Sequence, residues 1–339
     1  MIGYRKETMA AEKKTIRALG LCSGGLDSIL SALVLREQRI DVHWVTFETP
    51  FFSSAKAQKA AEHSGIPLMV RNITPVYMQM MRSPSVILGK HMNPCMDCHS
   101  LMFRLAGEIM TEKGFDFLFS GEVLGQRPMS QTRTSLRYVE KHSGYSGSIL
   151  RPLSAKRLPE TIPERDGQVD RERLLGLTGR SRKPQLQLAE KFGVTDFPAP
   201  AGGCLLTDKI FSRRLKDLFD HQATYPEKDL DLLKFGRHMR LDSKTKIVVG
   251  RTEQDNEQIN RCIDPETDMV LKVVDFPGPL VVIPGGGSEP TVMLAAGICA
   301  GYSKAPNHSP VAVNVHVGGH RRQVTVLGIP PAENKHILI

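Results

Sequence analysis

The sequence predicts an α/β fold, a parallel sheet with helices on both faces, followed by a smaller C-terminal α+β domain. Three observations carry this. The first 205 or so residues alternate short apolar runs with helix-period segments, the pattern of parallel strands joined by crossover helices. The first strand-to-helix junction is a Ser/Gly turn, Ser23-Gly24-Gly25-Leu26-Asp27-Ser28, placed where open α/β sheets take ligands. From residue 245 the texture changes to short β-like runs broken by glycine and proline. A chain of 339 residues has room for two such cores.

In chain order, residues 16–21 read as the first strand and 28–36 as the helix after the turn. A second strand is expected at 42–47, a helical stretch at 54–63 and a short strand at 67–71. Residues 74–94, rich in methionine and punctuated by proline, read as a looser segment. An amphipathic helix is expected at 100–113 and an apolar strand at 117–120. Residues 141–183 carry Arg, Gly and Pro with weak periodicity and read as loops and short helices. Beyond them, 246–250, 269–275, 280–283, 312–317 and 323–327 read as strands, and 291–300 as an apolar helix after Gly285-Gly286-Gly287, a tight loop. The expected organisation is a flexible tail (1–14), a first domain (15–207), a helical connector (208–240) and the α+β domain (241–339).

Composition is that of a soluble globular chain, 40% hydrophobic and 24% charged, with no apolar run near the roughly 20 residues of a membrane span. The polar, lysine-bearing first 15 residues hold no apolar signal region, so the cytoplasm is the expected compartment. The net charge of +9 is uneven: residues 121–192 hold 14 Lys and Arg against 8 Asp and Glu. Such a surplus fits a polyanionic partner, RNA or DNA, as well as a solvated basic face. Nothing sets the oligomeric state, and a homodimer is the commonest outcome for a soluble enzyme.

The Ser/Gly turn is built for phosphate. Gly24 and Gly25 let an anion approach the main chain, the helix start favours negative charge, Ser23 and Ser28 offer hydroxyls, and Asp27 can hold magnesium. It is not the lysine-bearing P-loop. The cysteines are the second chemistry. Cys95 and Cys98 stand three apart, and Cys204 follows Gly202-Gly203. Three thiolates can hold a [4Fe–4S] cluster with one iron open to a sulfur ligand, run a persulfide relay, or hold zinc with His99 as fourth ligand. Cys22, Cys262 and Cys299 lie in apolar contexts and read as buried. A third cluster, Ser120-Gly121-Glu122-Val123-Leu124-Gly125-Gln126 with Arg127, Ser130, Gln131 and Thr132, follows a strand and so lies at the same sheet edge. There Glu122 can serve magnesium or orient an acceptor, and Gln126, Arg127 and Gln131 can bind phosphate or a base edge.

SGGLDS resembles the pyrophosphatase-type loop of the PP-loop superfamily of ATP-hydrolysing enzymes (adenine nucleotide α-hydrolase-like). Cys98 with Met102-Phe103-Arg104-Leu105-Ala106, SGEVLGQ, Ser130-Gln131-Thr132 and Arg151-Pro152-Leu153 resemble the catalytic domain of tRNA 4-thiouridine synthases over roughly residues 15–205. Ile247-Val248-Val249-Gly250-Arg251 with Asp255-Asn256 resembles an NFACT-R type of RNA-handling domain. The resemblance implies ATP and Mg²⁺, tRNA as partner, and a sulfur donor, sulfide or a persulfide-bearing protein. It implies a nucleotide set of Ser23, Gly24, Gly25, Leu26, Asp27, Ser28, Phe47 and Gly121, and an RNA set of Glu122, Gln126, Arg127, Gln131 and Arg133. Cys95, Cys98 and Cys204 become the sulfur centre, with Asp27 beside it. The N-terminal RNA-binding region and the rhodanese-like domain of those enzymes are not recognisable here. That departure favours cluster-based sulfur delivery, as in iron–sulfur-dependent thiouridylases. The implied reaction is adenylylation of a uridine carbonyl oxygen followed by sulfur insertion. The alternatives are ATP-dependent sulfur transfer to a small molecule and a nucleotide-gated RNA-binding protein.

Overall fold

The computed structural model describes residues 14–86, 91–199, 204–306 and 308–339. Residues 1–13 of the expected tail, and the Gly202-Gly203 pair before Cys204, lie outside the described residues. The chain divides into two compact units, residues 1–89 with 94–203 and residues 90–93 with 204–339.

The first unit holds a five-stranded sheet in the order β3-β2-β1-β4-β5, parallel throughout. The strands are β1 (Arg17–Leu21), β2 (Asp41–Glu48), β3 (Leu68–Asn72), β4 (Phe117–Ser120) and β5 (Ile149–Leu150). The helices are α1 (Leu26–Arg36), α2 (Ala55–Ser64), α3 (Thr74–Arg82), α4 (Cys95–Lys113), α5 (Arg133–Ser143), α6 (Ile162–Arg165) and α7 (Lys183–Lys191). Side chains alternate across the sheet. Ala18, Val42, Trp44, Phe117 and Phe119 join one core with α1, α2 and α7, while Leu19, Val45 and Leu118 are buried on the opposite face, which α4 covers with α3 and α5 beside it. Burial on both faces is why these strands read as near-continuous apolar runs. The strand order reverses between β1 and β4, so a crevice opens at their carboxyl ends, beside residues 22–28 and 121–126.

Helices α3 and α4 depart from expectation. The supposedly loose segment after residue 74 contains α3. Pro75 stands in its first turn, where no amide hydrogen is needed. Its methionines are not slack: Met78 and Met81, with Tyr77, form the buried face. Helix α4 begins at Cys95, five residues before the periodic stretch, so both cysteines lie on its first turn.

The second unit begins with α8 (Lys209–His221) and α9 (Glu227–Leu232), from the stretch expected as connector. Arg214 pins α8 by donating to Leu233 O (2.7 Å) and Gly236 O (2.8 Å). Then come β6 (Arg237–Arg240), β7 (Lys246–Val249), α10 (Glu253–Arg261), β8 (Met269–Val273), β9 (Val281–Ile283), α11 (Glu289–Gly301), β10 (Pro310–Val317) and β11 (His320–Leu327). The six strands form one antiparallel sheet, β11-β10-β8-β9-β7-β6. Ile247, Val249, Val281 and Ile283 pack with α11, while Val248 and Val282 pack with Leu232 and Ile259 on the other face. In the Val-Gly-Arg…Asp-Asn motif, Asn256 Oδ1 accepts from Leu280 N (3.0 Å) and lies where a Cβ at Gly250 would stand. That motif is structural.

Candidate nucleotide and sulfur-transfer site

The nucleotide turn is shaped by its glycines. Cys22 N still donates to Val45 O (2.9 Å) before the chain leaves the sheet. Gly24 then takes φ +71°, and a Cβ there would lie 2.2 Å from the Lys56 carbonyl carbon and 2.5 Å from Ala57 N, so only glycine lets the turn sit on α2. Gly25 differs: a Cβ there would meet only Ser23 Oγ, at 3.5 Å, so the space above the turn is open. No side chain caps α1, which leaves its start available to an anion. The Ser23 and Ser28 hydroxyls lie 3.1 Å apart.

The loop after β4 lies directly on this turn. A Cβ at Gly121 would stand 2.4 Å from the Asp27 carbonyl carbon. Gln126 Nε2 donates to Asp27 Oδ2 (2.9 Å), and Asp27 Oδ1 is buried with no hydrogen-bond partner among the described residues. A buried, unsatisfied carboxylate oxygen is costly, and a hard cation is the partner that suits it. Asp27 therefore fits the magnesium role expected of it. Backbone bonds close the loop, Gly125 N to Gln131 O (2.7 Å) and Gln131 N to Arg127 O (2.9 Å). Gly179 N (2.8 Å) and Thr178 Oγ1 (3.0 Å) also both donate to Leu124 O.

The expected RNA set divides on inspection. Because Asp27 can only accept, Gln126 must turn its NH₂ toward it and keep Oε1 on the far side. That oxygen is buried and unpartnered, as is Gln131 Oε1. An amide oxygen cannot bind phosphate, so for Gln126 the phosphate option gives way to a ligand that donates. Arg127 and Arg133 are exposed and can take phosphate. Phe47 is buried near the end of β2.

Glu122 is turned inward. It is buried, with Oε1 2.9 Å from His99 Nδ1 and Oε2 accepting from Arg151 Nε (2.9 Å) and Ser120 Oγ (3.2 Å). Arg151 is equally buried and also pairs with Glu140. Burial alone would raise the Glu122 carboxyl, but the Arg151 charge and the His99 contact hold it at about 2. Both oxygens are engaged within the fold, so Glu122 positions the loop rather than meeting magnesium or an acceptor. Its partnership with His99 and Arg151 was not read from the sequence. The signal available was an arginine directly after the apolar pair Ile149-Leu150, a charge at a buried strand end that needs a counter-ion.

His99 follows Cys98, so the first turn of α4 is joined to the loop that lies on the nucleotide turn. Asp97, between the cysteines, is structural: it accepts from Ser85 N (2.7 Å), Val86 N (3.1 Å) and Tyr138 OH (3.0 Å). Cys98 is buried and Cys95 partly exposed. Cys204 belongs to the second unit, partly exposed, before a short turn in which Thr207 Oγ1 donates to its carbonyl (2.8 Å). Ser212 Oγ reaches both His91 O (2.6 Å) and Leu206 O (3.1 Å). Among the described residues no group of three or more His, Cys, Asp or Glu side chains that could hold a metal ion is found. Cys22 and Cys299 are buried as expected, and burial pushes each thiol up to about 12. Cys262 is only partly buried, unlike the expectation.

Residues 14–158 match the family described as thiamine biosynthesis protein (ThiI), and residues 236–337 match the NFACT protein RNA binding domain. No curated protein sequence matches the chain. Among solved structures, it is similar to the C-terminal part of the fibronectin/fibrinogen-binding protein of Streptococcus suis (15% identity, 47% of this chain, 79% of that one, TM-score 0.27). It is also similar to a "predicted subunit of tRNA methyltransferase" of Methanocaldococcus jannaschii (16% identity, 52% and 76%, TM-score 0.34). A third similar structure is the NMN synthetase of Francisella tularensis (14% identity, 64% and 82%, TM-score 0.34). Among the described residues no helix is long and apolar enough to cross a membrane.

Proposed function

We propose that the chain is an ATP-dependent tRNA sulfurtransferase that makes thiouridine. One observation carries the reading: residues 121–126 touch both chemistries. Gly121 and Gln126 meet Asp27 of the nucleotide turn, while Glu122 holds His99, the neighbour of Cys98. Activation and sulfur delivery thus share one short loop.

ATP lies with its phosphates on residues 23–28. A magnesium ion on Asp27 would supply neutralisation of phosphate charge. A uridine carbonyl oxygen attacks the α-phosphorus, the bond to pyrophosphate breaks, and the ring N3 proton passes to water. The oxygen now leaves readily, as AMP. A persulfide on one of Cys95, Cys98 and Cys204 attacks the activated ring carbon with its terminal sulfur, forming the C–S bond as the C–O bond to AMP breaks. A second cysteine thiolate then attacks the carrier sulfur. The products are thiouridine and a protein disulfide, which a thiol reductant reopens. The persulfide comes from a sulfur-donor protein. The NFACT-R domain, with Arg127 and Arg133, supplies the RNA grip, chiefly through phosphates.

The test is transfer of radioactive sulfur from a persulfide donor in the presence of ATP and tRNA. Label is expected in tRNA, and Cys98→Ala and Cys204→Ala are expected to abolish it while binding an ATP analogue normally. Full labelling by Cys204→Ala removes that residue from the route. Label in a small product instead of RNA rejects the tRNA substrate, and is the outcome that the thiamine name of the matched family makes worth measuring.

A further inference from the structure

We infer that Gln126 reads the substrate base, its side-chain oxygen accepting a hydrogen bond from the N3–H of uracil; this rests on the uridine chemistry proposed above. The orientation of an amide is often a matter of assignment, but here chemistry decides it. The Asp27 carboxylate accepts only, so Nε2 must face it, at 2.9 Å, and Oε1 must face away. Oε1 is buried without a partner among the described residues. A buried carbonyl lacking a donor is destabilising, so a ligand that brings a donor binds better by relieving it. Phosphate oxygens bring none. The loop is closed by the Gly125–Gln131 and Gln131–Arg127 backbone bonds, which fix the side chain's origin, and Asp27 fixes its far end.

Uracil brings the right atom to the right place. The oxygen that attacks the α-phosphorus has to come to the turn that holds Asp27. In uracil both carbonyl carbons, C2 and C4, are ring neighbours of N3. Whichever oxygen reacts, the adjacent N–H arrives beside it. Cytosine has a lone pair at N3, which would face the Gln126 oxygen and be repelled. The contact belongs to the bound base before reaction, since N3 loses its proton as the adenylate forms, so its loss appears in affinity for RNA.

The thiolated position is first mapped by nuclease digestion and mass spectrometry of tRNA treated with ATP and a persulfide donor. No thiolated uridine at all overturns the proposed function itself. With the position known, tRNAs bearing uridine, cytidine or 3-methyluridine there are bound to the full chain loaded with α,β-methylene-ATP. Wild type is expected to prefer uridine over each of the others by about tenfold, the scale of one hydrogen bond won or lost. Equal binding of the uridine and 3-methyluridine tRNAs overturns the inference without any variant. Gln126→Met keeps the length and removes the acceptor, and its preference is expected to fall below about threefold. A variant that retains the wild-type preference also overturns it, leaving Oε1 to a ribose hydroxyl or metal-bound water. A merely structural role for Gln126 would weaken all three RNAs alike and leave their ratios unchanged.

Discussion

Replacing Glu122 by Gln removes one charge from a buried network and little volume. Among the described residues Arg151, itself buried, then keeps only Glu140 as a counter-ion. The native carboxyl is held at about 2 against an ordinary 4.5. At 1.36 kcal/mol per unit, that difference is roughly 3 kcal/mol of stability at neutral pH, the low end of the ~3–5 kcal/mol typical of breaking a buried pair. Because the folded-state value is depressed, the contribution is complete above about 4.5 and lost as pH falls toward 2. Trp44 makes the measurement selective: it is the chain's only tryptophan, fully buried in the first unit. Urea unfolding followed by its fluorescence should show a midpoint lower by ~1.5 M for Glu122→Gln at pH 7, taking a slope of about 2 kcal/mol/M. The gap should narrow between pH 4.5 and 3. A loss under ~1 kcal/mol, or a gap indifferent to pH, would mean that Glu122 is not the buried, ionised centre of this network.

Gly24→Ala places a Cβ 2.2–2.5 Å from the backbone of α2 at a positive φ; a loss of more than ~2 kcal/mol is expected, with ATP-analogue binding undetectable by calorimetry. Asp27→Asn should leave the Trp44 melt near wild type and weaken ATP-analogue binding in Mg²⁺ by about 10- to 100-fold, with a much smaller change in EDTA. If the EDTA loss is equally large, Asp27 is not the metal contact. Arg127→Ala with Arg133→Ala should lower the slope of log Kd for tRNA against log salt by about 1–2, and an unchanged slope removes both from the phosphate interface.

Much of the first unit was legible because its requirements are local. Residues 16–21, 42–47 and 117–120 are mostly apolar, with Arg17, His43, Thr46 and Ser120 as the polar interruptions, as strands covered on both faces tend to be. Helix α3 was missed because Pro75 looked like a breaker, whereas in a first turn it is an initiator. The start of α4 was missed because Met96-Asp97-Cys98-His99 shows no apolar period; that turn is held by Asp97, whose partners lie 11 to 41 residues away. The two-residue strand β5 and the strand β6 are too short to show a period of their own and exist through pairing with β4 and β7.

The sequence by itself determined that an anion can sit at residues 23–28, because the absence of Cβ atoms and a helix start following a strand are properties of adjacent residues. Only the tertiary structure decided what the polar side chains around that turn do. Glu122 became an internal counter-ion through Arg151, 29 positions away, and His99, 23 away, and Gln126 became an acceptor through Asp27, 99 away. A carboxylate or an amide has the same composition in water and in a core. Its charge, and which of its atoms remains to meet a ligand, are set by partners that the chain brings close only by folding.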